Sequence, residues 1–465
     1  MKIRPNIIFI LADDMGYGDM SKFNGGLSQT PVLDSLADEG ICLTQHYAAS
    51  PVCNPSRASL LTGRYPHRTG SIDTFDHLGC ERLSLRERTV ADILKNAGYA
   101  TGLVGKFHNG TIGDQYHPNR RGFDEFFGFR GGWQYYFEPR IECNGTPLRP
   151  KGKYLTDLLT DEAIDFVKRH KAEPFFLHLA YNCPHFPIEA PEEDVKPFAE
   201  SGKFNKGVSK LYGMIRNMDR NIGRLLEELK RLGLSDNTIV MFTSDNGPDF
   251  GGHSEEFSLR RFNCNFNGSK GTTYEGGIRL PMIMRWPEGL PGRKNIDSMM
   301  HLTDWLPTLL AMAGVEVPKD NLPLDGWNNL PVLRGENGKT NTRRFWQWNR
   351  YYPYIGSNAA MRDGDWKLVQ PRSPQTYRDN DGKLDQQLRQ NPETFKEILP
   401  VQPRSFFSYG PPLPAELYNL KDDPEEKNNL AEKEADKLRR MLCDLEKWFE
   451  DVEADRRQCV DAVFK

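Results

Sequence analysis

The chain opens on a run, Asn6 to Leu11, that is apolar from Ile7 onward with no polar alternation. Unbroken rather than alternating apolarity suits a strand buried on both faces of a parallel sheet. Similar runs follow at Gly102 to Val104, Phe175 to Ala180, Thr238 to Thr243 and Pro281 to Arg285. Between them lie stretches with helical apolar spacing: Thr89 to Asn96, Leu155 to Arg169 and Leu211 to Arg231. Strands alternating with amphipathic helices predict an α/β unit with a large, mostly parallel sheet sandwiched by helices. In such folds ligands gather beyond the carboxyl ends of the strands.

The pattern changes near residue 342. Phe345 to Asn349, Ala359 to Arg362, Trp366 to Val369 and Glu416 to Asn419 are short and separated by turn residues. They predict a small antiparallel sheet. A helix is expected over Glu425 to Val452, with Leu438, Met441, Leu442, Leu445, Trp448, Phe449 and Val452 at helical spacing as a core-packing stripe. The polar, proline-dotted stretch Ser373 to Arg404 reads as a long loop. The expected organisation is therefore residues 1–342 as the large domain and 343–465 as a C-terminal α+β subdomain.

Composition narrows the function classes. A net charge of −3 over 465 residues leaves no basic footprint for nucleic acid. The early apolar run is too short for a signal-peptide core or a membrane span. The chain as numbered is expected to be cytoplasmic, or periplasmic or secreted where a leader has been removed. Eight cysteines without a C-x-x-C pair do not read as a disulfide framework or a thiolate zinc site.

The stretch PVCNPSRASLLTGR, residues 51 to 64, has a helix-compatible segment from Ser56 to Thr62. Pro55 suits the first helical position and Asn54 a preceding N-cap. Cys53 then lies just outside, beside free N–H groups that favour an anion. Two readings stay open: a reactive side chain presented to an anionic ligand, or a buried structural cysteine.

Asp13-Asp14 follows the first strand, and Asp245-Asn246 follows TIVMFTS in the same way. In one parallel sheet the two doublets emerge at one edge, as an all-oxygen set suited to Ca²⁺ or Mg²⁺. Singly, each Asp would be a turn or helix cap. Lys106 and His108 in GKFHNG, His185 in NCPHFP and Lys270 in NGSKGTTYEGGIRLP are ordinary loop residues one by one. Together they form a cationic, protonatable set, which implies a tetrahedral anion with a leaving group that needs a proton.

Cys53-Asn54-Pro55-Ser56-Arg57 followed by Leu61-Thr62-Gly63-Arg64 resembles the C-x-P-S-R-x-x-x-L-T-G-R signature of type I sulfatases. NIIFILADDMGYGD resembles that family's N-terminal metal motif, and GKFHNG its G-K-W-H-x-G with Phe107 in the Trp position. TSDNG, KGTTYEGGIRLP, MRDGDWKLV and ELYNLKDDPEEKNNL are similar to further family segments. The resemblance implies an alkaline-phosphatase-type α/β fold and sulfate monoester hydrolysis, with a carbohydrate sulfate as the expected substrate. It implies that Cys53 is oxidised to formylglycine by a formylglycine-generating enzyme. Asp13, Asp14, Asp245, Asn246 and the modified Cys53 would bind one Ca²⁺. Arg57 would hold the formylglycine, Lys106 and Lys270 would contact sulfate, and His108 and His185 would handle protons. No nucleic-acid or membrane partner is expected, and the oligomeric state stays open.

The nearest rival is a phosphonate monoester hydrolase or phosphodiesterase of the same superfamily, since phosphoryl transfer accepts a similar site. A non-catalytic binding protein with unmodified Cys53 is the other alternative. Trp133, Gln134, Tyr135, Tyr136, Trp346 and Trp348 read first as core aromatics, and second as a sugar-stacking platform. Arg68, Arg260 and Arg261 are candidates to read a polyanionic glycan. The segment Phe250 to Asn267 is a candidate determinant of substrate choice.

Overall fold

The computed structural model describes residues 4–252, 254–338, 340–374, 382–390, 396–400, 402, 404, 409–459 and 461. Its larger sheet is built from β1 (Asn6–Ala12), β2 (Ile41–Tyr47), β3 (Ala100–Lys106), β4 (Glu125–Phe129), β5 (Ile141–Cys143), β6 (Thr146–Leu148), β7 (Phe175–Ala180), β8 (Thr238–Ser244), β9 (Arg279–Arg285), β10 (Lys294–Ile296) and β11 (Met300–His301). The strand order is β10-β2-β9-β8-β1-β7-β3-β4-β5-β6, with β11 paired to β2. The block β8-β1-β7-β3-β4 is parallel throughout.

The opening run explains this placement. All seven residues of β1 are buried. Ile7, Phe9 and Leu11 enter one apolar core, while Ile8, Ile10 and Ala12 enter the core on the opposite face. Burial on both faces removes any reason for polar alternation. Helices cover both sides. Leu155–Arg169 forms as expected. Val90–Asn96 is capped by Thr89, whose side chain accepts from the Asp92 N–H while the Asp92 carboxylate accepts from the Thr89 N–H. The helix expected from Leu211 begins earlier, at Lys206, because the Asn205 side chain caps it by accepting from the Val208 N–H.

Two expectations need correction here. The run Pro281 to Arg285 lies in β9, which pairs antiparallel with both β8 and β2. The stretch Ser373 to Arg404 is not all loop: Gly382–Gln390 is helical. The remaining loop expectation at 375–381, 391–395, 401 and 403 lies outside the described residues.

The smaller sheet is antiparallel, in the order β12 (Arg343–Gln347), β13 (Ala359–Asp363), β14 (Trp366–Gln370) and β15 (Glu416–Asn419). Its period-two pattern splits it between two cores. Trp346, Ala360 and Val369 join the core of the larger sheet. Ala359, Met361, Leu368 and Leu417 pack on the last helix. That helix spans Ala435–Arg456 and so starts later than expected. Its residues Met441, Leu445, Trp448 and Val452 are buried there, as the stripe predicted. None of the eight cysteines is paired in a disulfide. Among the described residues no helix is long and apolar enough to cross a membrane.

Candidate active site

The site stands where β1, β8, β7 and β3 end together. Ala12 lies opposite Ser244 across β1 and β8. The pairing continues past the strands: the Asp245 N–H donates to the Ala12 carbonyl and the Asp13 N–H to the Cys183 carbonyl. Asp13 and Asp245 therefore leave the sheet side by side. Asp14 adopts a left-handed turn at φ 64°, a conformation that Asp tolerates better than most residues. Its N–H donates to Asp245 Oδ1 at 3.2 Å, and its Oδ1 accepts from Asn246 Nδ2 at 2.8 Å. One oxygen from each of Asp13, Asp14 and Asp245 lies within 4.8 Å of the others.

Cations are packed against this cluster. Lys106 Nζ donates to Asp13 Oδ2 at 2.6 Å, with both side chains fully buried. Gly105 before it takes φ 114°, and a Cβ there would meet the Ala180 carbonyl oxygen at 1.9 Å. Only glycine permits that approach of β3 to β7, which brings the lysine to the site. Arg57 Nε donates to Asp245 Oδ2 at 2.8 Å, and its Nη1 donates to the Lys106 carbonyl at 3.1 Å. Lys270 Nζ donates to Asp14 Oδ2 at 2.8 Å, and His185 Nε2 lies 3.7 Å from the same oxygen. Cys53 is buried, with its sulfur within 4.8 Å of a ligand atom of both Asp13 and His185.

The helix that carries Cys53 differs from the expected one. It spans Cys53–Thr62 and is preceded by Val52, so Cys53 is its first residue and Asn54 is no cap. The Asn54 amide is satisfied by tertiary contacts: it donates to the carbonyls of Glu81 and His108, and its Oδ1 accepts from Ser71 Oγ. Pro55 fits because it stays within the first turn, where its missing N–H breaks no helical bond.

The donor set matches a hard cation. Asp13 Oδ1 and Asn246 Oδ1 are buried acceptors without a hydrogen-bond donor among the described residues. A hard divalent ion satisfies such oxygens. Burial, and then Asp245, push the Asp13 carboxyl up to about 8 against Lys106 and Arg57. A group so crowded by like charge favours a bound cation. Burial also opposes ionisation of Asp14, but Lys270 and His185 outweigh it and hold that carboxyl well below its usual range. Burial resists ionisation of the Cys53 thiol too. Lys106 and Lys270, with a hydrogen bond to His185, outweigh it and lower its pKa. Burial, then Lys106 and Arg57, hold His108 well below the ordinary histidine value. Its Nε2 faces the Thr74 carbonyl at 3.3 Å and must carry the proton there, which leaves the buried Nδ1 without a partner among the described residues.

A cleft of about 540 Å³ opens over these groups and is walled by Trp133, Tyr135, Trp348, Arg350, Thr74 and Asp249. The aromatics, read first as core, are mostly buried: Trp133, Tyr136, Trp346 and Trp348 all are, although two of them also reach the cleft. Trp133, Tyr135 and Trp348 line the cleft. Trp346 is fully buried, donating from Nε1 to the Ala48 carbonyl. Tyr136 is buried, its hydroxyl donating to the carbonyls of Asn182 and His185 and so bracing the His185 loop. Gln134 donates to the Arg140 carbonyl.

The three candidate glycan-reading arginines also divide. Arg68 is held by Asp325, Asp451 and Asp455. Arg261 is buried, with its guanidinium on Asp19 at 2.6 and 2.7 Å and on the Asp14 carbonyl at 3.3 Å. Both are structural ion pairs rather than ligand readers. Only Arg260 is exposed. Sequence reasoning missed Asp249, Arg350 and Thr74. Asp249 lies in TSDNGPD, just past Asn246, and that proximity was its only signal.

The chain matches the Sulfatase family model over residues 5–315, and the model for the N-sulphoglucosamine sulphohydrolase C-terminal region over 268–399. It is 33% identical over 428 residues to the uncharacterized sulfatase YdeN of Escherichia coli (strain K12), spanning 80% of this chain and 74% of that one. It is 35% identical over 362 residues to human N-acetylgalactosamine-6-sulfatase, spanning 71% of this chain and 66% of the human protein. Among solved structures, Ps i-CgsB in complex with k-i-k-neocarrahexaose superposes with a TM-score of 0.80 at 32% identity, covering 98% of this chain and 94% of that one. Fold and site together define a sulfuric ester hydrolase. The chain belongs to the sulfatase family.

Proposed function

We propose that this enzyme hydrolyses a sulfate monoester of a carbohydrate, with Cys53 acting after oxidation to formylglycine and with one bound Ca²⁺. The observation that carries this is the position of Cys53. It is the first residue of a buried helix, within ligand distance of Asp13 and His185 and under the influence of Lys106 and Lys270. The carbohydrate assignment draws on Trp133, Tyr135 and Trp348 in the cleft wall and on the sugar named for human N-acetylgalactosamine-6-sulfatase.

Asp13, Asp14, Asp245, Asn246 and the modified Cys53 would hold the Ca²⁺, which would supply Lewis acidity that lowers the pKa of an attacking hydroxyl. The hydrated aldehyde would supply two hydroxyls on one carbon, one to attack sulfur and one to expel sulfate. The chain's own side chains do the rest. Lys106, Lys270 and Arg57 offset charge that grows on the sulfuryl oxygens. His185 Nδ1 is engaged by the Phe186 carbonyl at 2.8 Å. With both ring nitrogens protonated, its Nε2 delivers the proton, with Lys270, to the departing alcohol and returns to the neutral ring. His108 is neutral with Nδ1 free, and takes the proton that must leave the second hydroxyl. A formylglycine-generating enzyme is the partner that maturation requires.

Steady-state kinetics on matched sulfate and phosphate monoesters of one sugar test this reading. It expects kcat/KM to favour the sulfate ester and to vanish for both in Cys53→Ala. A preference for the phosphate ester would move the enzyme to phosphoester chemistry. Turnover retained by Cys53→Ala would remove the nucleophile.

A further inference from the structure

Beside the cleft over Cys53 lies a second cavity of about 530 Å³. Trp133 lines both. The segment that holds this tryptophan faces each in turn: Gly131 and Gln134 line the second cavity, Gly132 and Tyr135 the first. The Gly382–Gln390 helix also serves both, giving Gln386 to the first and Leu388 to the second. The two spaces are therefore neighbours across one aromatic ridge, and a chain molecule seated in the first has the second as its next stop.

The charge of the second cavity is uneven. Arg130, Arg140, Arg149 and Lys396 line it against Asp114 and Glu142. Glu142 is already used, since Arg130 Nε meets it at 3.0 Å and His117 Nε2 at 3.6 Å. Arg140 makes no side-chain hydrogen bond or ion pair among the described residues. Its Nη1 and that of Arg130 are buried donors without an acceptor among the described residues. Unpaired buried donors are costly in a folded protein, and here they mark where an acceptor is wanted. Arg149 and Lys396 are exposed and add cationic charge at the rim. None of these groups is needed for the chemistry over Cys53.

We propose that this cavity is a subsite for the sugar residue next to the one that loses sulfate, and that it receives an anionic substituent of that residue through Arg140, Arg149 and Lys396. The ring would cross Trp133, whose two sides serve the two positions. Guanidinium groups bind sulfate and carboxylate alike through charge-assisted hydrogen bonds. The inference rests on the sulfatase reading of the first cleft. It makes the substrate a polyanionic glycan rather than an isolated sulfated monosaccharide.

Three matched disaccharides separate the possibilities. Each carries the scissile sulfate on the terminal residue. The next residue bears no charge, a second sulfate or a carboxylate. Calorimetry and steady-state kinetics are run on each with the metal-loaded enzyme and with Arg140→Ala/Arg149→Ala. The wild type is expected to bind at least one charged disaccharide about tenfold or more tighter than the neutral one, the scale of a charge-assisted hydrogen bond. The favoured disaccharide identifies sulfate or carboxylate as the group received. The double variant is expected to lose that preference. Lys396→Ala, at an exposed position, is expected to reduce it by a smaller factor. Equal wild-type affinity for all three, or a preference that survives both variants, would overturn the subsite. A preference that is lost in the variants while no disaccharide is turned over would instead sink the sulfatase reading and leave the subsite standing.

Discussion

The floor and the walls of the site are built on different principles. The floor is made at the ends of parallel strands and the start of one helix: Asp13, Asp14, Cys53, Lys106, Asp245 and Asn246 are all nearly or fully buried. Every charge there has an opposite charge in contact or close by. The walls come from loops, one of which leaves the smaller sheet after β12: Trp133, Tyr135, Asp249, Trp348 and Arg350. Where strand register places a side chain, little freedom is left, and the chemistry is constrained. Where loops place it, side chains can change without disturbing the sheet, and selection among substrates belongs there.

That contrast orders the expected effects of substitution. Cys53→Ala should lower kcat by at least about 10⁴-fold, the scale of losing a nucleophile. A loss of only tenfold, read on matured enzyme, would place Cys53 among the walls rather than in the floor. Arg57→Ala should come next. It strands Asp245 and Asp13 in a buried site, and breaking a buried pair in this way costs about 3–5 kcal/mol of stability. Urea unfolding of metal-free protein checks this, and an unchanged midpoint would mean the floor is not held by charge.

The pH dependence sharpens the same point. Burial, Lys106 and Arg57 depress the proton affinity of His108 in the folded chain. The neutral base therefore persists as pH falls below 6.5, and the limb of kcat due to this base should lie on the acid side of that value. A limb assigned to His108 at or above 6.5, by its disappearance in His108→Gln, would contradict its buried, cation-flanked setting.

Effects at the walls should be smaller. Trp133→Ala should raise KM by about three- to tenfold with kcat little changed, as expected for loss of an aromatic contact. Arg260→Ala, at an exposed position, should change kcat/KM by no more than about twofold. A larger change there would support the Phe250 to Asn267 segment as a determinant of substrate choice.

The floor was legible in the sequence for a physical reason. A strand buried on both faces must be apolar throughout, so β1 and β8 stand out, and the first polar residues after them mark the sheet edge. β2 escaped notice because Thr44, Gln45 and His46 interrupt its apolar run. The antiparallel direction of β9 was hidden because periodicity does not encode direction. The walls were only half legible. Arg260 and Arg261 are adjacent and alike in type, yet one is exposed and the other locks Asp19. Trp346 and Trp348 are both buried, but Trp346 lies within β12 and Trp348 just beyond its end, where it reaches the cleft wall. Asn54 reads locally as a helix cap, but tertiary carbonyls claim its amide.

The account turns on what Cys53 becomes. The most direct test is the mass of the tryptic peptide that contains it, from protein made in a host able to mature sulfatases. The account predicts a mass matching formylglycine at position 53, in a preparation that turns over a sulfated sugar. Unmodified cysteine in a preparation with that same activity would contradict it.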